Sequence, residues 1–500
     1  MYSHERSLVK RLDDMPFALL GVNSDADKNE LKKAMEKQHI TWRSFWNGPE
    51  GPSGPISTKW NVRSWPTIYV LDAKGTIRFK NVRGEAMGKA VDQLLKEMGK
   101  VPKEAEPEEP EKSKVTEKTK AAKNVDALIT ASENAMRDFH KNNEEKLKNA
   151  KTNEERLKIN GGYPKPDETR AKLWDLVEKN PNDKEASFTA LQWLLYTYFQ
   201  NDAESQKGRA RALDLLIKDH ADNRKIVPVL NNLSIYVYYS LKVEELLRAV
   251  LAKNPSQDAK GIACFHLGVY LKKDAEGVRK LKESPGEGKN MEYFLGKEDA
   301  MKLKGADADK LTKEAEAVLE EAAAKYGDIQ LFHPTFSTVA DQVPRELFEL
   351  RNLTIGKTAP DIVGDDLDGK PLKLSDYRGK VVVLYFQGNR HSPGREMYAY
   401  ERSLVKRLED KPFALVGVNS DPDKDELKKA MEKEHITWRS FWDGAEGERG
   451  PIFTKWNVNG RPTTYVLDAK GTIRFKDLRG EAAMDRAVDR LLKEMEKDGK

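Results

Sequence analysis

The sequence repeats part of itself, and this repeat limits what the chain can fold into. Residues 1–85 align with residues 397–481 without a gap, and 66 of the 85 aligned positions are identical. Each copy contains, in order, a helix with ERSLVKRL, an apolar strand, an amphipathic helix, a TWRSFW segment, and a two-stranded hairpin that follows a proline. A repeat of this length and identity indicates a duplicated domain. Alternating helices and strands predict an α/β fold for both copies.

The second copy is preceded by a segment that has no counterpart before the first copy. Residues 381–386 (VVVLYF) form an apolar, β-branched run, which is typical of a central strand covered on both faces. This strand leads into the turn His391-Ser392-Pro393-Gly394 and then into the helix of ERSLVKRL. The next strands predicted in the two copies are Phe17 to Asn23 and Phe413 to Asn419.

The strand, turn and helix of residues 379–408 resemble the bacterial thioredoxin-like redoxin family of the TlpA/ResA type. In that family the turn carries Cys-x-x-Cys at a helix N-terminus, where the helix dipole stabilises a thiolate. His391 stands where the nucleophilic cysteine would be and Gly394 where its partner would be, with Ser392 and Pro393 between them. The family's activity is thiol-disulfide oxidoreduction or peroxide reduction. The resemblance therefore implies a degenerate motif in which no catalytic residue remains.

The proline before each hairpin, Pro66 or Pro462, matches the cis-proline of this family, whose loop faces the Cys-x-x-Cys turn and helps to bind an extended substrate backbone. Trp65 and Arg461 precede these prolines, so the resemblance implies two grooves with different partner preferences. Aromatic side chains of the second copy are candidates for lining its groove or, alternatively, for packing in the core: Trp438, Trp442 and Trp456.

The first copy begins at Met1, which aligns with Met397, and lacks the strand that the family places in the middle of its sheet. A sheet without its central strand leaves backbone groups unpaired, so we expect the first copy to be an incomplete thioredoxin fold. Three explanations are open. The natural chain extends upstream of Met1, a partner donates the strand, or the first copy is a decaying duplicate. We favour the first, which requires an in-frame VVVL-like strand and turn upstream of Met1.

The region between the copies divides into a linker and a helical domain. Residues 101–123 contain three prolines and dense mixed charge, which predicts a solvated linker. Residues 124–353 show helical patterns throughout, with turns at Asn180, His220 and Asn254. The spacing of these turns resembles tetratricopeptide-type helical repeats, and the alternative is an irregular helical bundle. The predicted domains are residues 1–100, 124–353 and 354–500, with α/β thioredoxin-like domains at both ends of an all-α domain.

Composition excludes several kinds of site. The 87 basic and 82 acidic residues nearly cancel, which argues against a nucleic-acid partner, and no apolar run is long enough to span a membrane. Cys264 is the single cysteine, so the chain cannot form an intramolecular disulfide. It lies in an apolar helix, where a buried core thiol is expected rather than a single-thiol peroxidase site. The eight histidines show no metal-binding spacing, and we expect neither a metal nor a cofactor.

These observations predict a redoxin-family chain that has lost its redox chemistry and acts as a scaffold or binding protein. Protein partners are expected at the helical repeats and at the proline groove. The alternative is an active thiol-disulfide oxidoreductase whose cysteines lie upstream of Met1 in the first copy. As written, the chain has no signal peptide and is expected in the cytoplasm, whereas an upstream extension would favour the bacterial cell envelope or periplasm.

Overall fold

The computed structural model describes residues 2–25, 27–37, 40–51, 54–60, 62, 67–80, 82, 84–100, 118–198, 202–236, 240–283, 292–293, 295–331, 338–388, 392–447, 450–458, 462–478 and 480–498. The chain forms two compact units, Met1–Glu117 and Lys118–Lys500. Within the described residues, no helix is long and apolar enough to cross a bilayer.

The first unit contains short strands and four helices. Its elements are α1 (Tyr2–Arg11), β1 (Gly21–Asn23), α2 (Lys28–Lys37), β2 (Ser44–Trp46), α3 (Pro55–Lys59), β3 (Tyr69–Leu71), β4 (Ile77–Lys80) and α4 (Gly84–Glu97). The described strands form two separate pairs, with β1 parallel to β2 and β3 antiparallel to β4. Helices α1 and α4 pack against each other and against β3 in a small apolar core, which includes Leu8, Leu12, Val70, Val91 and Leu95.

The strand predicted from Phe17 to Asn23 is shorter than expected, because β1 spans only Gly21–Asn23. Its counterpart in the second copy, β8, spans all of Phe413–Asn419. The two sequences, FALLGVN and FALVGVN, differ at one position. Local propensity therefore cannot explain the difference. A strand is extended by pairing with neighbours on both edges, and β8 has such neighbours whereas β1 pairs on one edge among the described residues.

The second unit begins with helices. They are α5 (Lys120–Asn149), α6 (Asn153–Asn160), α7 (Asp167–Lys179), α8 (Lys184–Thr197), α9 (Ala203–Asp219), α10 (Val227–Tyr236), α11 (Leu241–Lys253), α12 (Gln257–Glu283), α13 (Lys297–Lys304), α14 (Ala308–Tyr326) and α15 (Val339–Asn352). Helix α5 begins inside the predicted linker, because Thr119 caps it by accepting a hydrogen bond from the backbone N–H of Ala122 at 3.0 Å.

The turns at Asn180, His220 and Asn254 each follow the last residue of a helix, namely α7, α9 and α11. The turns that follow α9 and α11 also contact each other. The side chain of Asn254 donates hydrogen bonds to the carbonyl oxygens of Ala221 and Asn223 at 2.8 and 3.0 Å. The helices enclose one continuous apolar core. The described middle of the chain is therefore largely helical.

The last part of the second unit is a five-stranded sheet with helices on both faces. Its elements are β5 (Val363–Asp365), β6 (Pro371–Lys373), β7 (Val381–Gln387), α16 (Ser392–Arg407), β8 (Phe413–Asn419), α17 (Lys424–Lys433), β9 (Ser440–Trp442), α18 (Pro451–Lys455), β10 (Thr463–Leu467), β11 (Ile473–Lys476) and α19 (Glu481–Asp498). The strand order is β11-β10-β7-β8-β9, and β5 and β6 form a separate hairpin.

Strand β7 is the centre of this sheet, as its sequence predicts. All seven of its residues are buried, and it pairs parallel to β8 and antiparallel to β10. Alternate side chains enter two different cores, with Val382, Leu384 and Phe386 on one face and Val383 and Tyr385 on the other. A central strand with this order of neighbours, followed directly by a helix, is the thioredoxin-like arrangement. The C-terminal domain therefore has a thioredoxin-like fold.

Candidate functional site

The degenerate turn lies at the carboxyl end of β7. His391 is outside the described residues, whereas Ser392, Pro393 and Gly394 form the first turn of α16, without a described side chain. The last residue of β7, Gln387, is directly paired with Asn419 of β8. The predicted site is thus at the edge of the sheet where β7 passes into α16.

Pro462 lies at the same edge of the sheet. It immediately precedes β10, whose first residue, Thr463, pairs with Phe386 near the end of β7. The side chain of Pro462 is half-buried. The fold thus brings this proline near the degenerate turn, although the two are about 70 residues apart. Arg461, Trp65 and Pro66 lie outside the described residues.

Two of the three candidate groove tryptophans pack in the interior. Trp456 is 1% exposed and contacts the rings of Phe386 and Tyr465, with ring centroids 5.3 and 5.2 Å apart. Trp438 is buried in the core on the opposite face of the sheet. The groove assignment is therefore wrong for both, because their rings face the cores on either side of the sheet.

The third tryptophan, Trp442, is half-buried at the end of β9. Its indole N–H donates a hydrogen bond to the carbonyl oxygen of Asp421 at 2.9 Å, and the ammonium of Lys424 lies 5.3 Å from the ring centroid. Trp46 of the first copy makes the same two contacts, with Asp25 and Lys28. The contacts of Trp442 hold the loop before α17, and those of Trp46 hold the loop before α2. Both rings therefore have a structural role.

Buried polar atoms without a hydrogen-bond partner occur on β7, β8 and β9 near the end of β7, which the sequence did not suggest. They belong to Gln387, Asn419 and Ser440, all 2% exposed or less, on three adjacent strands. Strand pairing places Gln387 opposite Asn419, and Ser440 opposite Gly417. A Cβ on Gly417 would lie 2.3 Å from the Ser440 hydroxyl oxygen, so glycine leaves room for this side chain. Unpaired buried polar groups are costly, and they commonly mark a functional site.

Glu401 is a buried acid on α16, the helix that follows the degenerate turn. Its side chain is 1% exposed, and neither carboxylate oxygen has a hydrogen-bond partner. Burial raises the pKa of Glu401 to about 8, with the cation of Arg402 opposing this only in part. The sequence carried a signal for this residue, because Glu401 lies three positions from Tyr398 and from Leu404, both buried on the same helix face.

Cys264 is inaccessible, as its position in an apolar helix predicts. Its side chain is fully buried between α12 and α14, and the thiol lies 3.5 Å from the carbonyl oxygen of Val318. The two helices approach so closely that a Cβ on Gly268 would be 2.6 Å from the side chain of Leu319. Burial raises the pKa of the Cys264 thiol to about 12. The reactive thiolate is therefore suppressed at neutral pH.

A buried charge cluster joins the helical domain to the thioredoxin-like domain. Glu349 of α15 accepts hydrogen bonds at 2.5 Å from Lys272 of α12 and from Lys476 of β11. Asn457 donates to the same carboxylate at 2.8 Å, and Glu346 also pairs with Lys272. Both lysine side chains are under 10% exposed. Burial alone would raise the pKa of Glu349, but the two ammonium groups outweigh it and lower this pKa.

This cluster attaches the helical domain to one edge of the sheet. Its two lysines are about 200 residues apart in the sequence, so no local pattern could have identified the pairing. The edge strand β11 is also covered by the connecting segment, since Ile473 exchanges backbone hydrogen bonds with Gly356 and Lys357. The two domains thus form one compact unit in which an otherwise free sheet edge is paired.

The described residues contain no group of three or more His, Cys, Asp or Glu side chains arranged to hold a metal ion. The polar atoms at the end of β7 come from amides and a hydroxyl. In the described part of the site no thiol is present, so the chemistry available there is hydrogen bonding and, through Glu401, proton uptake.

Comparison with known proteins identifies the C-terminal domain. Residues 355–476 match the profile of the AhpC/TSA family. The thiol-disulfide oxidoreductase ResA of Geobacillus kaustophilus is 30% identical over 122 residues, which are 24% of this chain and 68% of that protein. ResA of Bacillus subtilis is 25% identical over 122 residues, 24% of this chain and 66% of that protein.

Among solved structures, the thioredoxin domain of a thiol-disulfide oxidoreductase from Bacteroides vulgatus is 27% identical, covers 28% of this chain and 99% of its own, and gives a TM-score of 0.26. The family profile spans the part of the chain that contains β7, the turn and Pro462. At 30% identity over 68% of the Geobacillus protein, the similarity assigns the family, and this chain belongs through its C-terminal domain to the redoxin family of the TlpA/ResA type.

Proposed function

We propose that this chain is a redoxin-family protein that no longer exchanges thiols and disulfides, and that it works as a binding scaffold. The observation that carries this proposal is the distribution of sulfur. Thiol-disulfide exchange needs an attacking thiolate and a second thiol to resolve the mixed disulfide. Neither His391 nor Gly394 can supply one, and Cys264 is the single cysteine of the sequence.

Cys264 cannot take over the missing role. It is buried in the helical domain, and the carbonyl oxygen of Val318 already lies against its thiol. The neighbouring His266 is a weak base, since burial, together with the positive charge of Lys273, lowers its pKa to about 4. A substrate disulfide would have to separate α12 from α14 to reach the sulfur. This geometry favours a structural thiol over a peroxidatic one.

The binding part of the proposal rests on the helical domain. The contact of Asn254 with Ala221 and Asn223 joins two successive turns, and stacked helical hairpins are the arrangement that helical-repeat proteins use to build extended binding surfaces. The buried cluster around Glu349 holds this array against the thioredoxin-like domain. A partner can therefore contact the array and the edge of the sheet near Pro462 as one surface. The first copy, with the same element order as residues 397–481, is proposed to be a partial thioredoxin-like domain.

The proposal is tested by restoring the sulfurs. The double variant His391→Cys/Gly394→Cys, made in the full chain, should gain dithiothreitol-dependent reduction of insulin, because β7 and α16 keep the family's arrangement. The wild-type chain should stay at the rate of the buffer control, and Cys264→Ser should not change it. Wild-type turnover that disappears in Cys264→Ser would overturn the proposal. Turnover above the buffer control that persists in Cys264→Ser would also overturn it, because the chain would then be an enzyme that needs no cysteine.

A further inference from the structure

Helix α13 lies on the surface of the helical domain and is packed through a narrow face. It has eight residues, of which Ala300 and Leu303 are buried. Leu303 belongs to a small apolar cluster with Val278 of α12, which is separate from the main core. On the outer side of the helix, Met301 is 64% exposed. A helix of this length is not stable by itself in water, so the position of α13 depends on its contacts with neighbouring helices.

Two hydrogen bonds attach this helix and the residues before it to earlier helices. The Asp299 carboxylate accepts one from the backbone N–H of Leu241, the first residue of α11, at 3.1 Å. The carbonyl oxygen of Tyr293 accepts the other from the side chain of Gln206 on α9, at 3.2 Å. The first N–H groups of a helix have no partner within the helix and form the positive end of its dipole. Asp299 therefore acts as an anionic cap on α11.

A buried acid of α12 lies at the same helix end. Asp274 is 8% exposed. One turn earlier on α12, the hydroxyl of Tyr270 donates a hydrogen bond to the carbonyl oxygen of Ser240, the N-cap residue of α11, at 3.0 Å. Residues four positions apart lie on the same face of a helix. Asp274 is therefore on the face of α12 that meets the beginning of α11.

Asp274 has acids as its charged neighbours. Among the described residues, the charges that act on it from other helices are those of Glu244 on α11 and Asp299 on α13. Burial, followed by these two charges, raises the pKa of Asp274 from 3.8 to about 7. Asp274 is therefore protonated in acid, and its ionisation near neutral pH adds a third negative charge to this cluster.

Two cations near this cluster are paired with other acids. Lys242 of α11 pairs with Asp214 of α9, and Arg248 of α11 pairs with Glu244 at 2.7 Å. The added charge must then be relieved by movement of one of the three helices. The buried apolar side chains of α11 belong to the main core, as do most of those of α12, whereas Leu303 of α13 belongs to the small cluster. Helix α13 is therefore the element that moves at the lowest cost.

We propose that α13 is a pH-sensitive clasp, which stays on α11 and α12 while Asp274 is protonated and detaches when Asp274 loses its proton. Detachment removes Asp299 from the acid cluster and exposes both carboxylates to water. It also uncovers Val278 of α12 and the first turn of α11. This proposal goes beyond the scaffold function and does not depend on it, because it concerns when a surface of the helical domain is available.

The proton balance sets the direction and size of the effect. Asp274 has a pKa of about 7 while α13 is attached, and its ordinary value of 3.8 applies once the side chain is in water. Between these two values, each detachment releases a proton. The detachment equilibrium should therefore increase with pH, by up to about tenfold per pH unit, and should level off above about pH 7.

Hydrogen exchange of residues 297–304, read by mass spectrometry in the full chain, measures this detachment. The variant Asp274→Asn keeps the shape of the side chain but cannot ionise. It leaves the sequence of residues 297–304 unchanged, so intrinsic exchange rates cancel when the two proteins are compared at one pH. The ratio of the wild-type rate to the variant rate should rise at least about tenfold from pH 5 to pH 7. Asp258→Asn, at an exposed acid in the first turn of α12, should exchange like the wild type at each pH.

A second measurement covers the case in which Asp274→Asn does not fold. In the wild-type chain alone, exchange in residues 297–304, corrected for its intrinsic pH dependence, should increase from pH 5 to pH 7 relative to residues 308–326 of α14. The proposal is overturned if the ratio of wild type to Asp274→Asn stays constant with pH, or if Asp258→Asn has the same effect as Asp274→Asn. It is also overturned if residues 297–304 and 308–326 of the wild type respond alike.

Discussion

The duplicated sequence allows one substitution to be made twice, in a buried and in an exposed setting. Phe441 of β9 is fully buried in the core, whereas its counterpart Phe45 of β2 is 58% exposed. Truncating a buried phenylalanine to alanine costs about 3–5 kcal/mol, through lost burial and the remaining cavity. Phe45→Ala removes less than half as much buried surface and leaves no closed cavity, so we expect a cost below about 1.5 kcal/mol.

Hydrogen exchange read by mass spectrometry can measure both variants in the full chain. Peptides from residues 17–23 and 413–419 differ in mass, because Leu20 replaces Val416. Since about 1.4 kcal/mol corresponds to a tenfold change in an opening equilibrium, Phe441→Ala should reduce protection in residues 413–419 roughly a hundredfold or more. Phe45→Ala should reduce protection from hydrogen exchange in residues 17–23 by roughly tenfold or less.

The comparison can refute the reasoning in two ways. If Phe45→Ala reduced protection in its own unit as strongly as Phe441→Ala does, the exposed face of the first unit would be covered in solution by the chain itself. If Phe441→Ala had little effect, the core around β7 would not be the structure that stabilises the C-terminal domain.

Three further predictions concern buried groups. Glu349→Gln should destabilise the 118–500 unit by about 3–5 kcal/mol in denaturant unfolding, because it removes the carboxylate that two buried ammonium groups share. Glu320→Gln at an exposed ion pair should cost under about 1 kcal/mol. Glu401 has a folded-state pKa of about 8, above the value of the unfolded chain, so the folded domain holds a proton that the unfolded chain releases. Glu401 should therefore lower the stability of the chain by up to about 1.4 kcal/mol per pH unit as the pH rises from about 4.5 to 8. Glu401→Gln should remove this contribution to the slope and exposed Glu409→Gln should keep it, and equal slopes in all three proteins would contradict the burial of Glu401. Cys264 should resist a thiol reagent in the native state and react at once in denaturant, and rapid native labelling would show that α12 and α14 open readily.

The strands show what sequence can and cannot predict. The strand Phe413–Asn419 and the buried run of β7 were predictable, because apolar continuity and length point to central strands. The nearly identical FALLGVN of the first copy forms only Gly21–Asn23, since strand length there depends on a partner that the local sequence does not contain. The turns at Asn180, His220 and Asn254 were predictable from helical periodicity. The start of α5 was not recognised, although Thr119 is an N-cap residue.

The position of the candidate site in the fold was predictable, but the burial and hydrogen bonding of its side chains were not. The resemblance placed the degenerate turn and Pro462 together, and the sheet pairing of Thr463 with Phe386 brings them to one edge. The resemblance could not show which tryptophans are buried. Trp456 and Trp438 pack into the cores on opposite faces of the sheet, and these cores form only when the strands pair. The unpaired amide of Gln387 and the unpaired side-chain oxygen of Asn419 could not be predicted, since a polar residue at a strand end usually faces solvent.

The most direct test of the central claim is the rate of dithiothreitol oxidation by the full wild-type chain, with insulin or hydrogen peroxide as the electron acceptor. The claim is that this chain keeps a redoxin fold in its C-terminal domain but carries out no redox chemistry at any site. It predicts rates equal to those of Cys264→Ala and of buffer with either acceptor. Acceptor-dependent oxidation by the wild-type chain, lost in Cys264→Ala, would contradict it.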